Sequence, residues 1–161
     1  MKPRRGRTSA LPLKGKAQTQ AQEVARLTMQ REQWEREIEI LRARTRTKLQ
    51  HAQNSLQANV EDLLGGTAPP ELAISGIIHA VAARWVYREL VTAYEVDATI
   101  ANPDDLLRWL QGRCVAEARQ AALFTSNPVH ALMQAYVVQT YADEFEQLRR
   151  VVERINSTKE E

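Results

Sequence analysis

Residues 18–64 read QTQAQEVARLTMQREQWEREIEILRARTRTKLQHAQNSLQANVEDLL, with no proline and no glycine among them. Ala, Gln, Glu, Arg and Leu dominate, and all are strong helix formers. Gly65-Gly66 then supplies a stop, and Thr67-Ala68-Pro69-Pro70 restarts the chain. The stretch predicts one helix of roughly 70 Å at about 1.5 Å per residue. Its apolar stripe runs Trp34, Ile38, Leu41, Thr45, Leu49, Ala52, Leu56, Val60, Leu63, and only Thr45 departs from it. The steps are those of an 11-residue repeat, close to 3.67 residues per turn, which keeps a helix nearly straight. A helix this long exceeds what a small bundle covers. Part of the stripe is therefore expected to meet another subunit, with Leu27, Trp34, Ile38, Leu41 and Leu49 as its contacts.

Working outward, the same punctuation divides the rest of the chain. Asn102-Pro103 and Asn127-Pro128 each place a good N-cap before a proline suited to the first helical position. Asp104 and Asp105 complement the positive end of the helix that follows Pro103. The expected spans are 18–64, 70–96, 103–123 and 128–156. No segment sustains the period-2 alternation of strands. The fold class is all-α: an irregular basic tail over 1–17, a long helix over 18–64, a three-helix bundle body over 70–156 and a polar end at 157–161.

The three later helices have apolar faces that suit a common core. The second offers Ile74, Ile77, Ile78, Val81, Trp85, Val86, Leu90 and Tyr94, too broad a face for one neighbour, so it is expected at the centre. The third offers Leu107, Leu110, Cys114, Ala118 and Ala121. The fourth offers Met133, Val137, Tyr141, Phe145, Leu148, Val152 and Ile155, with Asp143, Glu146, Arg149, Arg150, Glu153 and Arg154 on its wet side. Trp109 stands off the third stripe. Trp34 is expected on a helix outside the body, as an anchor between helices.

Composition excludes several classes of function. The chain has 161 residues, 43% hydrophobic and 26% charged, in the range of folded domains. No apolar run approaches the roughly 20 residues that span a bilayer, so no membrane partner is expected. A secretory signal is not expected, because Ser9–Leu13 is too short for its apolar region, and Pro3 and Pro12 discourage an amphipathic transit helix. A cytoplasmic location follows as the default. The single Cys114 excludes an internal disulfide or a cysteine-based zinc cluster. Phosphate-binding loops, dinucleotide fingerprints, HExxH and GxSxG are all missing. His51, His79 and His130 are scattered, and no Glu-x-x-His pair exists to build a di-metal bundle site. Asp104-Asp105 are explained by the helix start. The expectation is a protein with no catalytic residues, no metal and no cofactor.

Charge is the informative feature. Residues 1–50 carry 13 Lys/Arg against 5 Asp/Glu, and residues 51–161 carry 9 against 15. Residues 1–16 hold Lys2, Arg4, Arg5, Arg7, Lys14 and Lys16 without one acid. Residues 40–60 add Arg42, Arg44, Arg46, Lys48 and His51, again with no acid, beside Gln50, Gln53, Gln57 and Asn59. Cations suit phosphates, and amides suit phosphate or base edges. The sequence therefore suggests an oligomeric nucleic-acid-binding accessory protein, of a build suited to DNA packaging, transfer or segregation. Its contacts would be the tail and Arg42, Arg44, Arg46 and Lys48. The alternative is a structural or adaptor subunit whose basic arm docks on an acidic protein surface, that of a neighbouring copy included. No helix-turn-helix, zinc-finger or RNP pattern points to readout of base sequence.

Overall fold

The computed structural model describes residues 13–96, 102–123 and 126–157, arranged as four helices: α1 (Leu13–Gly65), α2 (Pro70–Val96), α3 (Pro103–Ala121) and α4 (Pro128–Ser157). The fold is all-α, with no strand among the described residues, and a long N-terminal helix precedes a helical body. α1 begins at Leu13, just past Pro12, rather than at Gln18, so positions 13–17 are helix and not tail. Residues 1–12, with Lys2, Arg4, Arg5 and Arg7, lie outside the described residues, as do 158–161.

The helix ends follow from their residues. Gly66 adopts φ 65°, a left-handed conformation that costs a side-chain-bearing residue energy. That turn lets the Thr67 N–H reach back to the Asp62 carbonyl at 3.1 Å and closes α1. The Thr67 hydroxyl also donates to the Asp62 carboxylate at 2.6 Å. Asn102 caps α3 by accepting the Asp104 N–H at 2.9 Å, with Pro103 in the first helical position. Asn127 caps α4 through the N–H groups of Val129 and His130, both at 3.1 Å.

α1 and α2 form one hairpin and α3 and α4 another; α2 packs on α4, and α1 touches α4 more lightly. α2 is thus central, as its broad apolar face predicts, and α4 shares that place. All four helices supply one core: Trp34, Ile38 and Leu41 from α1, Val86, Leu90 and Tyr94 from α2, Leu106 and Leu110 from α3, and Val137, Tyr141, Leu148, Val152 and Ile155 from α4. From Trp34 onward, α1 therefore closes the body as its fourth member. Thr45, the odd member of the stripe, is buried with its hydroxyl on the Leu41 carbonyl at 2.7 Å. α1 and α2 approach so closely at Gly76 that a Cβ there would lie 2.1 Å from the Asn59 side-chain oxygen.

Three expectations about packing are corrected. Trp34 is 4% exposed, inside the chain's own core rather than on a helix outside it. Trp85, expected in the core, is 44% exposed, with Ile74 and Val81 also open on α2. The buried positions of α2 are Ala73, Ala80, Ala82, Val86, Leu90 and Tyr94, and Ile74, Val81 and Trp85 lie off that face. On α3 the buried positions are Leu106, Leu110 and Glu117, whereas Ala118 is exposed. The helix is rotated because a charged residue takes the inward place that the apolar pattern assigned to alanine.

The left-handed turn gives a simple test. Gly66→Ala is expected to destabilise the protein by about 1–2 kcal/mol, read as a lower urea midpoint with unchanged slope. An unchanged midpoint would mean that the α1 stop does not depend on this conformation.

Candidate functional site

The basic stretch of α1 faces the body. Arg44 and Lys48 stand one helical turn apart and both reach Glu144 of α4, a carboxylate only 1% exposed. The Arg44 guanidinium donates to its Oε2 at 3.1 Å, and the Lys48 ammonium bonds its Oε1. The Tyr87 hydroxyl of α2 donates to the same Oε1 at 3.3 Å, and Lys48 Nζ lies 5.5 Å from the Tyr87 ring centre. One carboxylate thus ties α1, α2 and α4 together. Arg42 donates from Nε to the Tyr94 carbonyl at 2.7 Å, near the negative end of α2, and also pairs with Glu39. Arg46 pairs with Glu95 at 2.6 Å on the surface. Each of the four cations at 42–48, expected with the tail to contact nucleic acid, has an acceptor within its own chain.

A second network repeats the device between α2, α3 and α4. Arg113 donates to Glu89 at 2.7 Å and lies 2.9 Å from Glu117, which is buried. Gln134 donates to the other Glu117 oxygen at 2.7 Å, and the Tyr141 hydroxyl bonds Glu89. The Arg113 guanidinium also lies 5.5 Å from the centre of the Tyr141 ring. Removing one member of such a buried pair strands its partner and typically costs about 3–5 kcal/mol.

These glutamates were not singled out from the sequence, yet a signal was available. Glu144 falls on the α4 stripe between Tyr141 and Leu148, at helical steps of three and four. Glu117 extends Leu106, Leu110 and Arg113 in the same rhythm. An acid set into an apolar stripe asks for partners: Arg44 and Lys48 reach Glu144 across the interface, and Glu117 is met by Arg113 of its own helix and Gln134 of α4.

The remaining candidates disperse. Of the expected subunit contacts, Trp34, Ile38 and Leu41 are in the chain's own core, Leu49 is half-buried and Leu27 is exposed. Lys14 and Lys16 fall in α1, where only the backbone is described. His130 is exposed in the first turn of α4. His79 is exposed, with its ring edge-on to Tyr136 at 4.8 Å. It lines a cleft of about 330 Å³ with His51, Ser55, Lys48, Tyr87, Thr140 and Asp143. Another groove, about 450 Å³, runs between α2 and α3 beside Trp85, Arg88 and Trp109. Cys114 is half-buried, and burial pushes its thiol up, away from the reactive thiolate. Among the described residues no group of three or more His, Cys, Asp or Glu could hold a metal ion, and no helix is long and apolar enough to cross a membrane.

Beyond the body, α1 continues as an arm. Positions 18–32 are exposed apart from the half-buried Gln30 at their edge, and Val24 and Leu27 stand 63% and 52% open. Glu37 reaches Arg154 at 3.6 Å near the end of α4, and Trp34, one turn further out, is the first buried residue of α1 after the exposed stretch. No family model, no curated protein and no solved structure matches the chain.

The networks also shift acidities. Burial, with Glu144 beside the ring, raises Tyr87 and Tyr94 above the ordinary phenol value of 10.0, and burial with the Glu89 bond raises Tyr141. On the wet side of α4, hydrogen bonds from Arg149 and then Arg150 hold the exposed Glu146 at about 2. The phenols stay neutral in the fold while the unfolded chain ionises near pH 10. Their contribution is therefore complete below pH 10 and is lost as pH rises from there toward the raised values of the fold. The loss is at most about 1.4 kcal/mol per pH unit for the buried Tyr94 and smaller for the partly exposed Tyr87, so the urea midpoint should hold to about pH 9.5 and fall from about pH 10 to about pH 11.5. A level midpoint across this range would contradict the burial of these hydroxyls.

Proposed function

We propose that the chain is a non-enzymatic structural or adaptor subunit: a helical body that holds out the N-terminal part of α1 for docking on other protein surfaces. One observation carries this reading. The cations at 42–48 are bonded within the chain, whereas Val24 and Leu27 remain open on the projecting helix. The arm itself is not basic. Between positions 18 and 39 the arginines 26, 31 and 36 face glutamates 23, 32, 35, 37 and 39. Arg26 and Arg31 pair with Glu23 and Glu35 along the helix.

A nucleic-acid-binding role is the second reading, and residues 1–16 favour it, with six cations and no acid. In that reading the protein is an oligomeric accessory factor that grasps phosphates with its tail alone, and an acidic protein surface is the competing target of the same tail.

A salt series with duplex DNA separates the two. The adaptor reading predicts only weak binding, with Arg46→Gln indistinguishable from the parent chain. Deleting residues 2–12 removes four cations and should lower any salt slope by up to roughly four units. Tight binding that falls when Arg42 and Arg46 are neutralised would overturn the adaptor reading and return the function to the basic stretch.

A further inference from the structure

We infer that the body pairs with a second copy of the chain through α2, laid antiparallel along its open face, a contact separate from the arm and beyond the reading above. α2 packs on α1 and α4 and only lightly on α3. One of its faces is therefore left open. Glu71, Ile74, Ile78, Val81, Trp85, Arg88 and Thr92 follow one another along it at alternating steps of three and four, the a and d rhythm of a helix seam. Ile74, Val81 and Trp85 are exposed and Ile78 is half-buried. The groove between Trp85 and Trp109 continues the same face toward Thr92. A contiguous apolar strip rimmed by charges marks an interaction surface.

Charge selects the occupant, its direction and its register. Glu71 and Arg88 stand at the two ends of the apolar strip, both exposed, and neither forms an ion pair among the described residues. The other acids of the described part of α2, Glu89 and Glu95, are taken by Arg113 and Arg46. In a parallel pair Glu71 would meet Glu71 and Arg88 would meet Arg88, which like charge disfavours. Antiparallel, with Ile78 opposite the partner's Val81, Ile74 comes opposite the partner's Trp85 and Glu71 opposite the partner's Arg88. Every layer then joins apolar to apolar or acid to base. Sliding by one heptad breaks this, because Arg88 falls on the partner's Ile78 one way and Glu71 on the partner's Val81 the other. Arg84, also without an ion pair, comes beside the partner's Ser75 and not the partner's Arg84. The register uses only exposed or half-buried positions, so nothing has to leave the core. The strip complements its own reverse about a two-fold axis between positions 79 and 80, which is the symmetry of a closed dimer. The partner's Ile74 then enters the groove between Trp85 and Trp109. The ion pairs lie at the ends of the seam, so the association is expected to weaken with salt.

Sedimentation velocity of the full chain at tens of micromolar tests this. The expected result is a reversible dimer that Trp85→Ala weakens at least roughly tenfold. Register is read by charge exchange. Glu71→Arg and Arg88→Glu should each weaken the dimer at least roughly fivefold, and the variant carrying both should return to within about twofold of the parent chain. These positions are exposed, so an unchanged helical signal checks that the fold is intact in each variant. Single variants that dimerise like the parent, or a double variant that does not recover, would overturn the register. A chain that stays monomeric at these concentrations would overturn self-pairing. A dimer indifferent to Trp85→Ala and lost with Val24→Glu and Leu27→Glu would also overturn it, placing the contact on the arm. The DNA titration does not depend on this pairing, so the two outcomes are read separately.

Discussion

A carboxylate with almost no contact with water has to be neutralised where it sits, and Glu144 is neutralised by Arg44 and Lys48 of a helix a hundred residues earlier in the chain. That requirement pins α1 in rotation as well as in position. With Arg44 and Lys48 turned to α4, the stripe through Trp34, Ile38 and Leu41 faces the core, and Arg42 falls beside the end of α2. A rotation that freed the cations would leave a bare buried carboxylate, at several kcal/mol. Arg113, bonded to Glu89 of α2, and Glu117, accepting from Gln134 of α4, pin α3 in the same way. Apolar packing holds the four helices together, and the two ion networks specify which faces meet.

The functional consequence is subtraction. A linear reading of residues 40–60 sees a positive field, but the folded chain returns each of its four central cations to an internal acceptor. What the fold holds out is the first part of α1, with a mixed-charge surface and the open pair Val24 and Leu27. On the proposed reading, that surface meets a protein partner rather than a phosphate backbone.

The helices were legible because their ends are written locally. Gly66, Asn102-Pro103 and Asn127-Pro128 act on neighbours within a few residues, and their hydrogen bonds are found where the residue types require them. The α4 core was legible too, since Val137, Tyr141, Leu148, Val152 and Ile155 recur at helical spacing. Counting only apolar residues failed wherever a charge is buried, as at Glu117, or a large side chain is left open, as at Trp85. Both depend on which helix lies alongside, and that is set by contacts remote in sequence. The inward turn of Arg44 and Lys48 belongs to the same class, because their spacing along α1 fits a solvent face equally well.

The claim on which this account turns is that Lys48 and Glu144 are coupled inside the fold. A double-mutant cycle measures it directly: Lys48→Met, Glu144→Gln and the combined variant, each unfolded in urea. The account predicts that the two losses are far from additive, with a coupling of about 1.5 kcal/mol or more. Additivity to within about 0.3 kcal/mol would contradict it, and would return Lys48 to the solvent face with its charge available to a partner.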